Sequence, residues 1–252
     1  MKILAVTCYT GGEELCAMTE KCVASLRECE PVGIPMQVSS VSQGAARQIG
    51  GDPLHTNHAK NVGFAFGMNF AIDHGTSYFG EPDYVLCFNN DLEFPEAAWL
   101  EELVKEAHPT RICVPTTDRT SLHAKPGPIA SPPAKVQEMG AYCWLIPFAW
   151  CKWLKETYGF WLFSEEFAPA YGEDNLTSFL LSKKHGPKIF RLVFRSWVKH
   201  LRGKTSSVVK HDRRKSSRLL VEKLRQQLKD PKLRPDLCKW ANSTIAILSR
   251  RM

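Results

Sequence analysis

Cys-x-x-Cys is absent from this chain of 252 residues, although it holds nine cysteines, an odd number. That combination argues against a disulfide framework and against a structural zinc site. Cys8, Cys16, Cys22, Cys29, Cys87, Cys113, Cys143, Cys151 and Cys238 mostly stand among apolar neighbours. This is the setting of reduced, buried thiols and of a cytoplasmic protein. Cys22 and Cys29 fall with Leu15, Val23 and Leu26 on one face of a predicted helix, a core-filling pattern rather than metal capture. Also missing is any apolar run of the roughly 18 residues that a bilayer crossing needs. The opening "MKILAV" is interrupted by Thr7, Cys8 and Tyr9, too soon for a signal peptide. The expectation is a soluble protein, or one peripheral at a membrane, and no internal repeat breaks the chain into modules.

What the chain has in excess is positive charge, and it is unevenly placed. Residues 199–252 hold 16 Lys/Arg against 4 Asp/Glu, while residues 1–198 hold 17 against 22. A basic tail therefore follows a mildly acidic body.

Strand-like and helix-like apolar segments alternate through the first half, the signature of an α/β sheet covered on both faces. "KILAVTCY", "MQVSSV", "DYVLCF", "RICVP", "MGAYCWLIP" and "KIFRLVF" read as strands, with "DYVLCF" central. Residues 14–29, 96–107, 148–157 and 174–185 read as helices, and "NVGFAFGMNFAIDHG" as another that Gly75 is placed to end. Residues 117–135 carry Pro126, Pro128, Pro132 and Pro133 and read as a loop. From Val208 the pattern is helical and basic, broken at Pro231 and Pro235.

The apolar run "YVLCF" stops at Asn89, Asn90 and Asp91. Ligands of open α/β sheets collect outside the carboxyl ends of strands, where loops vary while the sheet stays rigid. Two readings stand for this exit: an Asx turn leading to the next helix, or a hard-oxygen site for Mg2+ or Mn2+ carrying a diphosphate. Glu173 and Asp174 also have two readings, acids favoured at a helix N-terminus or a carboxylate pair for proton transfer.

"NVGFAFGMNFAIDHG", "YVLCFNNDLEFPEAAWLEELV", "GAYCWLIP", "YGEDNLTSFLL" and "VKHLRGKTS" follow one another in the order found in family 2 glycosyltransferases, and the chain resembles the rhamnosyltransferase-like members over about residues 1–206. The resemblance implies a GT-A fold, a single Rossmann-like domain with a mixed central sheet spanning 1–206, followed by a basic helical C-terminal extension at 207–252. It implies a nucleotide-sugar donor, UDP- or dTDP-linked, and a divalent cation, Mn2+ or Mg2+, held at an Asp-x-Asp-like motif. Asn89-Asn90-Asp91 occupies that motif, with Asp91 as metal ligand and Asn89 standing where the family has its first Asp. Glu173-Asp174 resembles the family's Glu-Asp pair, in which the Asp is general base on the acceptor hydroxyl. An alcohol is a weak nucleophile at neutral pH, so a positioned carboxylate must take its proton. His200 matches a histidine that completes the family's metal site. Thr7, Tyr9 and Glu14 fall in the loop that meets the nucleobase. The second strand, where the family has an Asp for the base, offers Ser39, Ser40 and Ser42. Asn61, Gly63, Gly67 and Asn69 resemble the stretch beside the nucleotide, or serve close helix packing.

The aromatic run from Trp144 to Phe163 reads mostly as core, with room for a stacking platform. The implied activity is inverting, metal-dependent glycosyl transfer to an acceptor hydroxyl. The tail leaves the acceptor open between a glycan or lipid-linked saccharide at an anionic membrane and a hydroxymethylated base of viral DNA, and a solvated helix face remains a third reading. A sugar nucleotidyltransferase would carry a basic residue in the first loop, where "TGGEELC" has acids. A non-catalytic nucleic-acid-binding module would need the tail without the carboxylates.

Overall fold

In a computed structural model the chain is described at all residues except 45, 51–53, 96–97, 118–139, 169–170, 187, 202–212 and 251–252. Most of the expected proline-rich loop and the boundary at 206/207 lie outside the described residues.

Eight strands form one curled mixed sheet: β1 (Ile3–Thr10), β2 (Met36–Gln43), β3 (Leu54–His58), β4 (Tyr84–Phe88), β5 (Leu92–Glu93), β6 (Ile112–Thr117), β7 (Cys143–Pro147) and β8 (Phe190–His200), in the order β3-β2-β1-β4-β7-β6-β8-β5. Strands β1 to β4 pair in parallel, joined by crossover segments. β7 runs antiparallel to both β4 and β6, and β8 runs parallel to β6. These directions place the carboxyl ends of β1, β2, β4, β6 and β8, together with the start of β7, along one edge of the sheet. All of Ile3, Leu4, Ala5 and Val6 in β1 and Val85 to Phe88 in β4 are fully buried, as central strands should be.

Helix α1 (Glu13–Arg27) buries Leu15, Cys22, Val23 and Leu26, as its sequence pattern predicts, and all nine cysteines are free thiols. Helix α2 (Phe64–Phe79) runs past Gly75 and ends at Gly80. Gly75 is needed for closeness instead: a Cβ there would sit 2.6 Å from Cδ1 of Leu4 in β1. Helices α3 (Trp99–Lys105), α4 (Phe148–Tyr158) and α5 (Glu173–His185) complete the body. The short β5 and the polar edge strand β3 were not expected from the sequence.

The basic segment folds into α6 (Arg213–Gln227) and α7 (Pro235–Ser249), parted by the expected break, which holds Pro231 and ends where Pro235 opens α7. Leu220, Val221, Leu224, Leu237 and Ala241 are buried, and both helices contact α5. Trp240 stacks on Phe179 at 5.5 Å between centroids, and Lys183 pairs with Asp230 at 2.7 Å. Arg213, Arg214, Lys215, Arg218 and Arg225 remain on the exposed face. No helix among the described residues is long and apolar enough to cross a membrane.

Candidate active site

The sheet brings two distant parts of the chain together just beyond β4. β5 pairs antiparallel with the last residues of β8, Leu92 opposite His200 and Glu93 opposite Lys199. β8 reaches that partner because its pairing with β6 slips: Pro115 faces Val193 but Thr116 faces Trp197, so Phe194–Ser196 bulge out and redirect the strand. As a result Nε2 of His200 lies 3.1 Å from Oδ1 of Asp91, a residue 109 positions earlier, and 3.5 Å from Nδ2 of Asn89. The amide of Leu201 donates to the Asp91 carbonyl at 2.9 Å and locks the register. Asn90 points the other way and donates to Thr19 of α1 at 3.1 Å.

The carboxylate pair sits at the first turn of α5. Glu173 is only 5% exposed, and its Oε2 is buried without a hydrogen-bond partner. Burial, then the neighbouring Asp174, pushes its pKa up to about 8. Asp174 keeps a solvent-reached face and has its pKa raised by burial as well, against the lowering effect of backbone amides, of which that of Asn175 donates to Oδ1 at 2.8 Å. Like charges this close share protons rather than both ionising, so the pair titrates as a unit.

One stretch of backbone links the pair to Asp91 and His200. Gly140 lies against Asp174, where an added Cβ would come 4.0 Å from Oδ2, and Tyr142 follows two residues on. The Tyr142 carbonyl accepts from the Asn89 amide at 2.9 Å, and its ring lies 5.8 Å from the His200 ring, nearly parallel. The Tyr142 hydroxyl donates to the Pro115 carbonyl at 2.5 Å, fixing that ring. Sequence reasoning gave Tyr142 no role, because neither its main-chain contact with Asn89 nor the approach of its ring to His200 leaves a local pattern.

The residues assigned to the nucleotide are placed as follows. Thr7 is fully buried within β1, opposite Ser40 of β2, with Oγ1 unpartnered. Tyr9 is buried, its hydroxyl donating to the Arg47 carbonyl at 2.8 Å and accepting from the Ile49 amide at 3.1 Å. Glu14 is exposed in the first turn of α1. Asn61 accepts from the Gly63 amide at 3.1 Å. Gly63 is held by Gln43, which accepts its amide and that of Val62 and donates to its carbonyl. Gln43, the last residue of β2, escaped notice beside the serines. Asn69 is buried and ties α2 to the segment after α4: it accepts from the amides of Leu162 and Phe163 and donates to the Phe163 carbonyl and to Glu165.

The Asp91–His200 separation suits a shared cation. Two cis ligands of an octahedral ion at about 2.1 Å stand about 3.0 Å apart. A carboxylate oxygen with an imidazole nitrogen is a donor set that Mn2+ accepts well. Protonated at Nε2, the same imidazole donates a hydrogen bond to Asp91 instead. Among the described residues no group of three His, Cys, Asp or Glu side chains gathers, so phosphate and water oxygens would supply the remaining ligands.

No protein-family model matches the chain, and no curated protein matches its sequence. Solved structures do match it. The mannosyltransferase PcManGT from Pyrobaculum calidifontis, in complex with GDP-Man and Mn2+, aligns over 98% of this chain and 73% of its own at a TM-score of 0.58 and 14% identity. TarS 1–349 from S. aureus, in complex with UDP-GlcNAc, aligns over 100% of this chain and 72% of its own at a TM-score of 0.60 and 12% identity. With its parallel half-sheet, reversed β7 and cross-linked strand exit, the chain has the GT-A-type fold of these glycosyltransferases.

Proposed function

We propose that this chain is an inverting glycosyltransferase of the rhamnosyltransferase-like kind within family 2. It moves a hexosyl or deoxyhexosyl group from a nucleoside-diphosphate sugar to an acceptor hydroxyl. The observation that carries the reading is the single backbone stretch Gly140–Tyr142, which lies against Asp174 at one end and braces Asn89 and His200 at the other. In this reading one end of the stretch serves a carboxylate for the acceptor and the other a polar cradle for the diphosphate. Asp174 takes the acceptor hydroxyl proton as that oxygen bonds to the anomeric carbon. The carbon–phosphate oxygen bond breaks, and its electron pair leaves with the nucleoside diphosphate. Asp174 suits the role better than Glu173 because it keeps a face open to solvent, and a raised pKa matches a base to neutral pH. A divalent cation, Mn2+ or Mg2+, held by Asp91 and His200 would supply charge neutralisation for the departing diphosphate.

The donor is a nucleoside-diphosphate sugar, and the acceptor a glycan or lipid-linked saccharide. One observation favours a second acceptor, a hydroxymethylated base in DNA: α6 exposes Arg213, Arg214, Lys215, Arg218 and Arg225. Incubating the full chain and Mn2+ with a panel of nucleotide sugars tests the first reading. Slow release of nucleoside diphosphate from one donor is expected, and no binding of any nucleotide sugar would refute it. Salt-dependent binding to hydroxymethylated DNA, with sugar transfer onto it, would establish the second acceptor.

A further inference from the structure

The mechanism just proposed needs Asp174 to be aimed, and the two residues ahead of the carboxylate pair are unusual. Tyr171 and Gly172 have φ values of +81° and +97°. Tyr171 is the one non-glycine residue with positive φ among the described residues, and a side chain takes up that conformation at an energetic cost. A glycine would remove the cost, so the tyrosine side chain must return something.

What it meets is α6. The Arg213 guanidinium lies 4.9 Å from the Tyr171 ring centroid, and its Nη2 is 3.4 Å from the Tyr171 hydroxyl oxygen. Gly172 is enclosed from two further sides. A Cβ added there would come 2.8 Å from Cε1 of Phe167 and 3.6 Å from Cβ of Leu220, a buried residue of α6. Lys223, further along α6, pairs at 2.6 Å with Glu166, the neighbour of Phe167 in the short 3-10 helix Glu165–Phe167. Three points of one helix thus meet Glu166, Tyr171 and Gly172, the last two leading directly into α5.

We infer that α6 is a positioning clamp for the proposed transfer reaction, in which Tyr171, held by Arg213, fixes the turn that aims Asp174 at the acceptor. This rests on Asp174 being the acceptor-side base. Tyr171 and Arg213 are positioning residues and touch no reacting atom. The basic helix then has a catalytic reason to be where it is, separate from any polyanion it binds.

The test compares Tyr171→Gly, Arg213→Ala and Arg213→Lys with the parent in the full chain. It measures melting temperature, kcat, donor KM and the 13C carboxyl titration of Glu173 and Asp174. Tyr171→Gly relieves the backbone, so its melting temperature should not fall. Its kcat should fall by at least about tenfold, as a sub-ångström misaim does. Donor KM should stay the same, and the carboxyl pair should titrate closer to ordinary values. Arg213→Ala should act in the same direction on kcat, and Arg213→Lys, which keeps a cation over the ring, should recover most of it. Unchanged kcat in Tyr171→Gly, or a kcat loss that merely follows a loss of melting temperature while the titration is unmoved, overturns the clamp. If the parent releases nucleoside diphosphate from no donor, the catalytic reading falls on its own, and the titration in Tyr171→Gly still decides whether α6 shapes the pair.

Discussion

The two halves of the candidate site are built in opposite ways. Asp91 and His200 come from residues 109 positions apart and are joined by sheet register: β5 on β8, a bulge that redirects β8, and the Leu201 amide on the Asp91 carbonyl. Glu173 and Asp174 are consecutive and follow directly on a strained turn; burial raises both pKa values, and the neighbouring Asp174 raises that of Glu173 further. The first half is a rigid fixture whose polar atoms face one another. The second stores unfavourable energy that the surrounding packing must hold in place. A leaving diphosphate needs fixed, preorganised partners, whereas a base needs a raised pKa, and the fold meets the two demands with two kinds of construction.

The largest expected effect separates the halves by function. Asp174→Asn should lower kcat by about 10²- to 10⁴-fold, the usual worth of a general base, while leaving nucleotide-sugar affinity measured calorimetrically with Mn2+ unchanged. Undiminished turnover would remove Asp174 from the role. His200→Ala should do the reverse. Outer-sphere partners alone are worth about 10- to 100-fold in metal affinity, so losing a ligand should weaken Mn2+-supported donor binding by at least that much. The carboxyl titration of Glu173 and Asp174 should stay where it was. If His200→Ala instead shifts that titration and spares Mn2+-supported binding, the two halves are one electrostatic unit and the comparison fails.

The two constructions also differ in how far the sequence shows them. β1 and β4 were legible because buried parallel strands are continuous apolar runs, β2 through its spaced Met36, Val38 and Val41, and the Asn89–Asp91 exit because an apolar run stops there. The start of α5 was legible because acids lead a helix. β3 was not, since "LHTNH" is an edge strand with little apolar alternation, and a two-residue strand such as β5 leaves no periodicity at all. Yet β5 is what seats His200 against Asp91, so that pairing came from resemblance and not from spacing. The reversed strand β7 was visible as a strand, but the contacts of Tyr142 just before it, with Asn89, Pro115 and His200, join segments far apart in sequence. The basic pattern from Val208 gave two helices and their charge, while their docking on α5 depends on Leu220, Leu224 and Leu237, whose partners no local pattern identifies.

The smallest expected effect probes the strained half without chemistry. Glu173 has a folded pKa near 8 against an ordinary value of 4.5, because burial and Asp174 disfavour its charge. The folded state therefore holds the proton more tightly than the unfolded chain does. The associated stabilisation is fully present below about pH 4.5, declines as pH rises and is lost once pH passes the folded pKa near 8. Glu173→Gln replaces the protonated acid with a neutral group of the same shape, which has no proton to lose. The two proteins should melt alike at acid pH. The variant should then become the more stable as pH climbs, with the gap levelling above about pH 8, at roughly 2 to 4 °C for each kcal/mol relieved. A gap that stays constant across that range would show that Glu173 does not carry the buried proton, and would move the strain of the pair onto Asp174 alone.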